Sequence, residues 1–218
     1  MRGFLFVIQY LLEKNMDRKL YELKINPSIG MDVNVISIVD SPAVESSFLA
    51  FSKQEKKETF AVANEDRMEL IGVAMIPDKI IPRYDDATKE EYDVFFSKDT
   101  IRTIAQNYFY SGYQHSINLQ HSDTFVNAHV WQSYIVDSAM GLTAPNGINA
   151  VDGTWIVGVQ LDKNDTGSQK LWKFIKDGTY TGFSVEGYFI NQLTQNFNSQ
   201  ITLEQEIDNA LKSLNTKK

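Results

Sequence analysis

Between residues 20 and 96 the chain shows strand-like segments one after another and no helical periodicity. Residues 20–25 alternate Tyr21, Leu23 and Ile25 with Glu22 and Lys24, the pattern of a half-buried strand. Residues 33–39 are a β-branched run closed by Asp40, Ser41 and Pro42. Residues 69–76 read as a strand stopped by Pro77, Pro82 imposes a further break, and residues 92–96 form the next strand. The charged, weakly patterned stretch 52–67 reads as a loop. A doubly wound parallel sheet needs a helix between successive strands, and this order supplies none.

The first helix predicted after that is capped by Ser97. It carries Ile101, Ile104, Ala105, Tyr108 and Phe109 at 3–4 spacing and ends at Gly112. Strands are then expected over 116–121, 129–136 and 154–161, a short helix over 168–176 and a last strand over 180–190. Residues 191–200 are polar. A capping pattern of Thr202 and Gln205 then opens a terminal helix with Leu203, Ile207, Ala210, Leu211 and Leu214 on one face. The expected class is α+β, with a compact, mainly antiparallel sheet or barrel flanked by a few helices. The expected division is an N-terminal extension over 1–15, a body over 16–190 and a linker with a helix over 191–218.

The opening residues resemble a crude signal peptide, Arg2 being followed by an apolar stretch from Phe4 to Ile8. That stretch is too short to span a bilayer, and no small-residue cleavage site follows it. It reads instead as a short apolar strand or helix, or as a start artefact with Met16 opening the product. The expected location is cytosolic.

Composition narrows the chemistry. The chain has 218 residues and no cysteine, which removes disulfides, thiol nucleophiles and cysteine-based zinc sites. Any imidazole must be one of three, His115, His121 or His129. The net charge of −7 and the lack of a basic block disfavour nucleic-acid binding. A metal would draw on His115, His121, Asp123 and His129, whose spacing matches no common chelate. Neither a metal nor a cofactor is expected.

The segment Gly182–Gly187 is the most suggestive. On a strand, Ser184, Glu186 and Tyr188 share one face while Phe183 and Val185 take the other. The flanking glycines leave backbone room around Ser184, which a nucleophile approached by a carbonyl needs. Glu186 stands where a nucleophile elbow requires glycine, so that motif is absent. The plain alternative is a strand with bulge glycines and an incidental serine. His121 follows Ile117 and Leu119 on one strand face, with Asn118 and Gln120 opposite. An imidazole continuing an apolar face is partly desolvated, which favours the neutral form a general base requires. The plain alternative there is a strand-end histidine bonded to a carbonyl.

These residues sit inside a longer series. The runs from Val35 to Val44, Gly72 to Pro77 and Val94 to Ile101 are followed by Asn118-Leu-Gln-His121, Val130 to Val136, Gly153-Thr-Trp155 and Gly182-Phe-Ser-Val-Glu-Gly187. Over residues 33 to 190 the chain resembles the phage serine proteases of the XkdF type. These are grouped with the prohead proteases and thought to share the fold of herpesvirus assemblin. The resemblance implies a serine nucleophile at Ser184 and a histidine base at His121, on neighbouring strands of a compact barrel. It implies action inside the immature capsid, within the host cytoplasm, on scaffold and major capsid proteins and on the protease itself. Neither direct nucleic-acid nor membrane binding is implied, and self-association stays open.

Two departures bear on the third catalytic group. Relatives often carry Glu-Ser-Trp where this chain has Gln132-Ser133-Tyr134, and no histidine follows Ser184. Glu186 is the first choice because it shares a strand face with Ser184, and His129 is the reserve. The competing reading is a catalytically silent scaffold or capsid-assembly protein of the same fold.

Overall fold

The computed structural model describes residues 18–40 and 60–194. The expected N-terminal extension and terminal helix lie outside these residues. In chain order the described elements are β1 (Lys19–Lys24), β2 (Val33–Val39), β3 (Ala61–Asn64), β4 (Glu69–Met75), β5 (Ile81–Asp85) and β6 (Glu90–Phe95). They continue with α1 (Lys98–Tyr110), β7 (Ile117–Leu119), β8 (Ala128–Ile135), β9 (Trp155–Leu161), α2 (Thr166–Lys176), β10 (Gly182–Gly187) and β11 (Ile190–Leu193).

Among the described residues the strands form three sheets, ordered β11-β1-β6-β5, β10-β2-β7 and β3-β4-β9-β8. Only β1 with β6 and β2 with β7 run parallel. The α+β class and the mainly antiparallel pairing therefore hold, but the expected barrel is not seen: among the described residues no sheet closes on itself. The reason lies between β10 and β4, where side chains take the place of a ladder. Phe60 and Phe183 pack with ring centroids 5.1 Å apart. A Cβ at Gly72 of β4 would lie 2.7 Å from the Cβ of Phe60 and 3.2 Å from the Phe183 ring, so only glycine admits this approach.

Helix α1 forms as its pattern requires. The Ser97 hydroxyl accepts from the Thr100 amide at 3.3 Å, Ile101, Ile104, Ala105 and Tyr108 are buried, and Gly112 turns left-handed at φ 80°. In α2 the cap is Asp165, whose carboxylate accepts from the Ser168 amide at 2.7 Å, and Leu171, Trp172 and Ile175 face inward. The Tyr108 ring meets Trp155 of β9 edge-on at 5.5 Å, tying α1 to the third sheet. The same core cluster holds Ile36 and Ile38 of β2, Leu70 of β4, Ile117 of β7 and Val157 of β9, all fully buried. Each such side chain contributes roughly 1.5–3 kcal/mol by leaving water.

Three segments depart from expectation. Strand β3 lies inside the stretch read as a loop; it is four residues long and half exposed, so it has no alternation to betray it. Strand β5 contains Pro82, read as a break. Because β5 ends its sheet, the missing N–H of Pro82 costs no ladder bond. The expected last strand divides at Gly187 into β10 and β11. The second piece runs into the polar stretch, where it pairs with β1 in register Tyr21 to Leu193.

Candidate active site

Strand β2 is the middle of its sheet, and its register decides what meets there. Ser184 of β10 lies opposite Ser37, and Asn118 of β7 lies beside Ser37 on the other side. The three polar side chains form one row across the sheet. The neighbouring rows are apolar: Phe183, Ile38 and Leu119 on one side, Val185, Ile36 and Ile117 on the other. Ser37 is 0%, Asn118 3% and Ser184 5% exposed, so the row is a buried polar seam between two apolar rows.

Glu186, two residues beyond Ser184, returns its carboxylate to this seam. Its Oε1 lies 2.5 Å from the Ser37 hydroxyl and accepts from the Asn118 amide at 2.7 Å. Ser37 is also 2.6 Å from the Asn118 carbonyl oxygen. A hydroxyl has one proton to give, and the ionised carboxylate draws it more strongly than the amide. Burial pushes the Glu186 carboxyl up, but the hydrogen bonds from Ser37 and Asn118, with the His121 charge and hydrogen bond, together outweigh it. The net result holds the group below its ordinary 4.5.

His121 completes the cluster. Its Nδ1 is 3.2 Å from Glu186 Oε1 and 3.2 Å from Ser37 Oγ. With a carboxylate on Nδ1, that nitrogen carries the hydrogen, and Nε2 has no partner among the described residues. This is the tautomer a general base needs.

The route by which His121 arrives corrects the expected strand face. β7 ends at Leu119, and Gln120 and His121 both take left-handed backbone at φ 50° and 52°. Two such residues break the alternation, so His121 joins the polar side with Asn118 instead of continuing Ile117 and Leu119. Non-glycine residues pay about 1–2 kcal/mol each in this region. The turn is held by Ser122, whose amide and hydroxyl both reach the Leu119 carbonyl, at 3.0 and 2.6 Å. The Asn118 amide meets the Ser122 carbonyl at 2.8 Å.

Gly187 has a different task from making room around a nucleophile. A Cβ there would lie 2.3 Å from the Asp32 carbonyl oxygen, so glycine lets the end of β10 close onto the start of β2 at the bulge after Glu186.

Ser184, His121 and Glu186 line one cleft of about 770 Å³, together with residues of β4, β5 and β6. Ser37 is not among the lining residues, so of the two adjacent serines Ser184 faces the cleft. Among the described residues Ser184 Oγ has no hydrogen-bond partner. The reserve histidine stands elsewhere: His129 on β8 faces His115, ring centroids 5.8 Å apart. Gln132 lines a second groove with Arg102, Phe109 and Trp131, and Ser133 accepts from the Trp155 indole at 2.8 Å. Among the described residues Gln132 has no bond to His121.

Ser37 and the bridging role of Asn118 were not anticipated. The only signal for Ser37 is a polar residue interrupting the apolar run 35–39, which means nothing until register is known.

No curated protein and no solved structure matches the chain. A family model does match, over residues 56–191, which takes in His121, Asn118, Ser184 and Glu186 but not the β2 strand that carries Ser37. With more than half of its length matched, the chain belongs to the family described as "Putative phage serine protease XkdF".

Proposed function

We propose that this phage serine protease is a capsid-maturation endopeptidase that works through an acyl-enzyme, with Ser184 as nucleophile, His121 as general base and Glu186 as the acid behind it. The observation that carries the reading is the sharing of one cleft by Ser184 and His121 while Glu186 occupies His121 Nδ1. His121 Nε2 takes the Ser184 proton as Oγ attacks the scissile carbonyl carbon, and the imidazolium then protonates the departing amine. A water, deprotonated by the same nitrogen, attacks the acyl carbon and releases Ser184. Charge on Glu186 stabilises the imidazolium, and Ser37 and Asn118 hold that charge in place. The substrates we assign are scaffold and major capsid proteins, cut inside the prohead in the host cytoplasm, and the fold we assign is related to herpesvirus assemblin.

The test is covalent. A serine-directed fluorophosphonate should label Ser184 in the intact chain, Ser184→Ala should abolish labelling, and His121→Ala should slow it by 10³-fold or more. Co-expression with the scaffold and major capsid proteins should yield cut products with the wild type and none with Ser184→Ala. Equal processing by the variant would overturn the assignment. The silent-scaffold reading draws on one feature, the absence of a hydrogen bond on Ser184 Oγ among the described residues. Assembly supported equally by Ser184→Ala, with no labelling of the wild type, would favour it.

A further inference from the structure

We infer that the cleft beside Ser184 is a specificity site that binds its peptide extended and takes one bulky apolar side chain close to the scissile bond. The inference rests on the serine-protease reading and adds the substrate class.

Two stretches of strand with edges that no described strand pairs line this cleft. Strand β10 has β2 as its only hydrogen-bonded strand among the described residues. Among the described residues strand β3 pairs with β4 only as far as Ile71, Phe60 lies against Gly72, and no described strand pairs Val73 to Met75 on that side. Residues 73–76 and 183–187 both contribute to the lining. Unpaired strand edges recognise an extended main chain, because they offer N–H and C=O groups at its repeat. A compact polar metabolite has no use for them.

At the end of β6 the lining is apolar. Val94 and Phe96 from the end of β6 are buried, and Phe189 closes over Phe96 edge-on with ring centroids 5.0 Å apart. Ala74 and Met75 of β4 also line the cleft. The charged groups in the lining have other engagements. Glu186 is turned to Ser37, Asn118 and His121, and Lys79 and Arg83 have interactions of their own. A charged substrate group set on this floor would be desolvated without a partner, whereas a Leu, Phe or Met side chain gains from each methylene buried.

The experiment uses the full chain and a mixture of peptides from a digested proteome, with cut sites mapped by mass spectrometry. Wild type should cut with Leu, Phe, Met or Tyr enriched about tenfold or more over Ala at one position within two residues of the bond. Ala74→Leu, which fills the cleft, should move that preference to Ala, Ser and Val. Phe189→Ala, which opens the floor, should extend it to Trp. Enrichment of charged residues, or a preference that neither variant moves, would overturn the inference and leave the protease reading standing. Labelling of Ser184 by fluorophosphonate without any peptide cut would overturn it too. Failure of both labelling and cutting would bring down the protease reading, and this inference with it.

Discussion

β2 and β9 are both inner strands, both buried along most of their length, and each has a buried hydroxyl at or next to it. Ser37 on β2 lies within hydrogen-bond distance of Asn118, His121 and Glu186. Thr154, just before β9, is equally buried, and its hydroxyl has no partner among the described residues. The contrast separates two uses of polarity in a core. A buried polar group that joins a connected network fixes the geometry of a site. One without partners is a local cost that the surrounding packing absorbs. The sheet around β9 is a scaffold, and the sheet around β2 is an apparatus.

The largest effect should come from the apparatus. Glu186→Gln keeps the shape and an acceptor oxygen but removes the charge that, in the proposed mechanism, stabilises the imidazolium. It should lower kcat/KM, or the second-order rate of fluorophosphonate labelling, by about 10²–10⁴-fold. Circular dichroism should be unchanged. A loss under threefold would make Glu186 a structural residue and erase the distinction between the two sheets. On the scaffold side, Leu70→Ala removes a fully buried side chain and should cost about 2–5 kcal/mol in urea unfolding. The labelling rate per folded molecule should stay at the wild-type value. A large kinetic defect there would show that the scaffold also tunes the site.

The same contrast explains what could be read before the fold was known. Ser184 and Glu186 were legible because a strand has period two, so residues two apart share a face whatever else happens. Helix α1 was legible from its cap and its 3–4 spacing, and β2 from a β-branched run bounded by Asp40. His121 was legible as a candidate but not in its position. Nothing in Leu119-Gln-His121 announces two left-handed residues, and that backbone choice moves the ring from the apolar face to the polar one. Ser37 was illegible for a different reason. Its importance lies in register with two other strands, a long-range property that no local pattern encodes. Strands β3 and β5 escaped because short edge strands are shaped by their neighbours more than by their own residues.

A smaller effect tests whether Ser37 belongs to the apparatus. Ser37→Ala removes one hydrogen bond to Glu186 and should cost about 1–3 kcal/mol in stability, with the labelling rate lowered about tenfold. The Glu186 carboxyl should titrate higher than in the wild type, by NMR of the side-chain carboxyl. The sign with pH follows from the lowered group. Its stabilising contribution is present above the ordinary 4.5 and is lost as pH falls through the depressed folded value. The urea midpoint of wild type should therefore exceed that of Glu186→Gln at pH 7, and the two should converge as pH falls through the depressed folded value. A gap that persists at low pH would mean that Glu186 acts by packing and not by charge.

The smallest effect belongs to Thr154, and its sign is the sharpest part of the comparison. Valine has nearly the same shape as threonine and replaces the hydroxyl with a methyl. Where the hydroxyl is hydrogen-bonded the exchange destabilises, and where it has no partner the exchange removes a desolvated polar atom. Thr154→Val should therefore leave stability unchanged or raise it by up to about 1 kcal/mol, read as a higher urea midpoint with the same slope. Ser37 admits no such exchange, because the cluster around it would lose a donor to a charged group. If Thr154→Val instead destabilised by more than about 1 kcal/mol, the hydroxyl would have to be bonded in solution, by a buried water. The third sheet would then hold a polar network of its own, and the division between scaffold and apparatus would have to be drawn elsewhere.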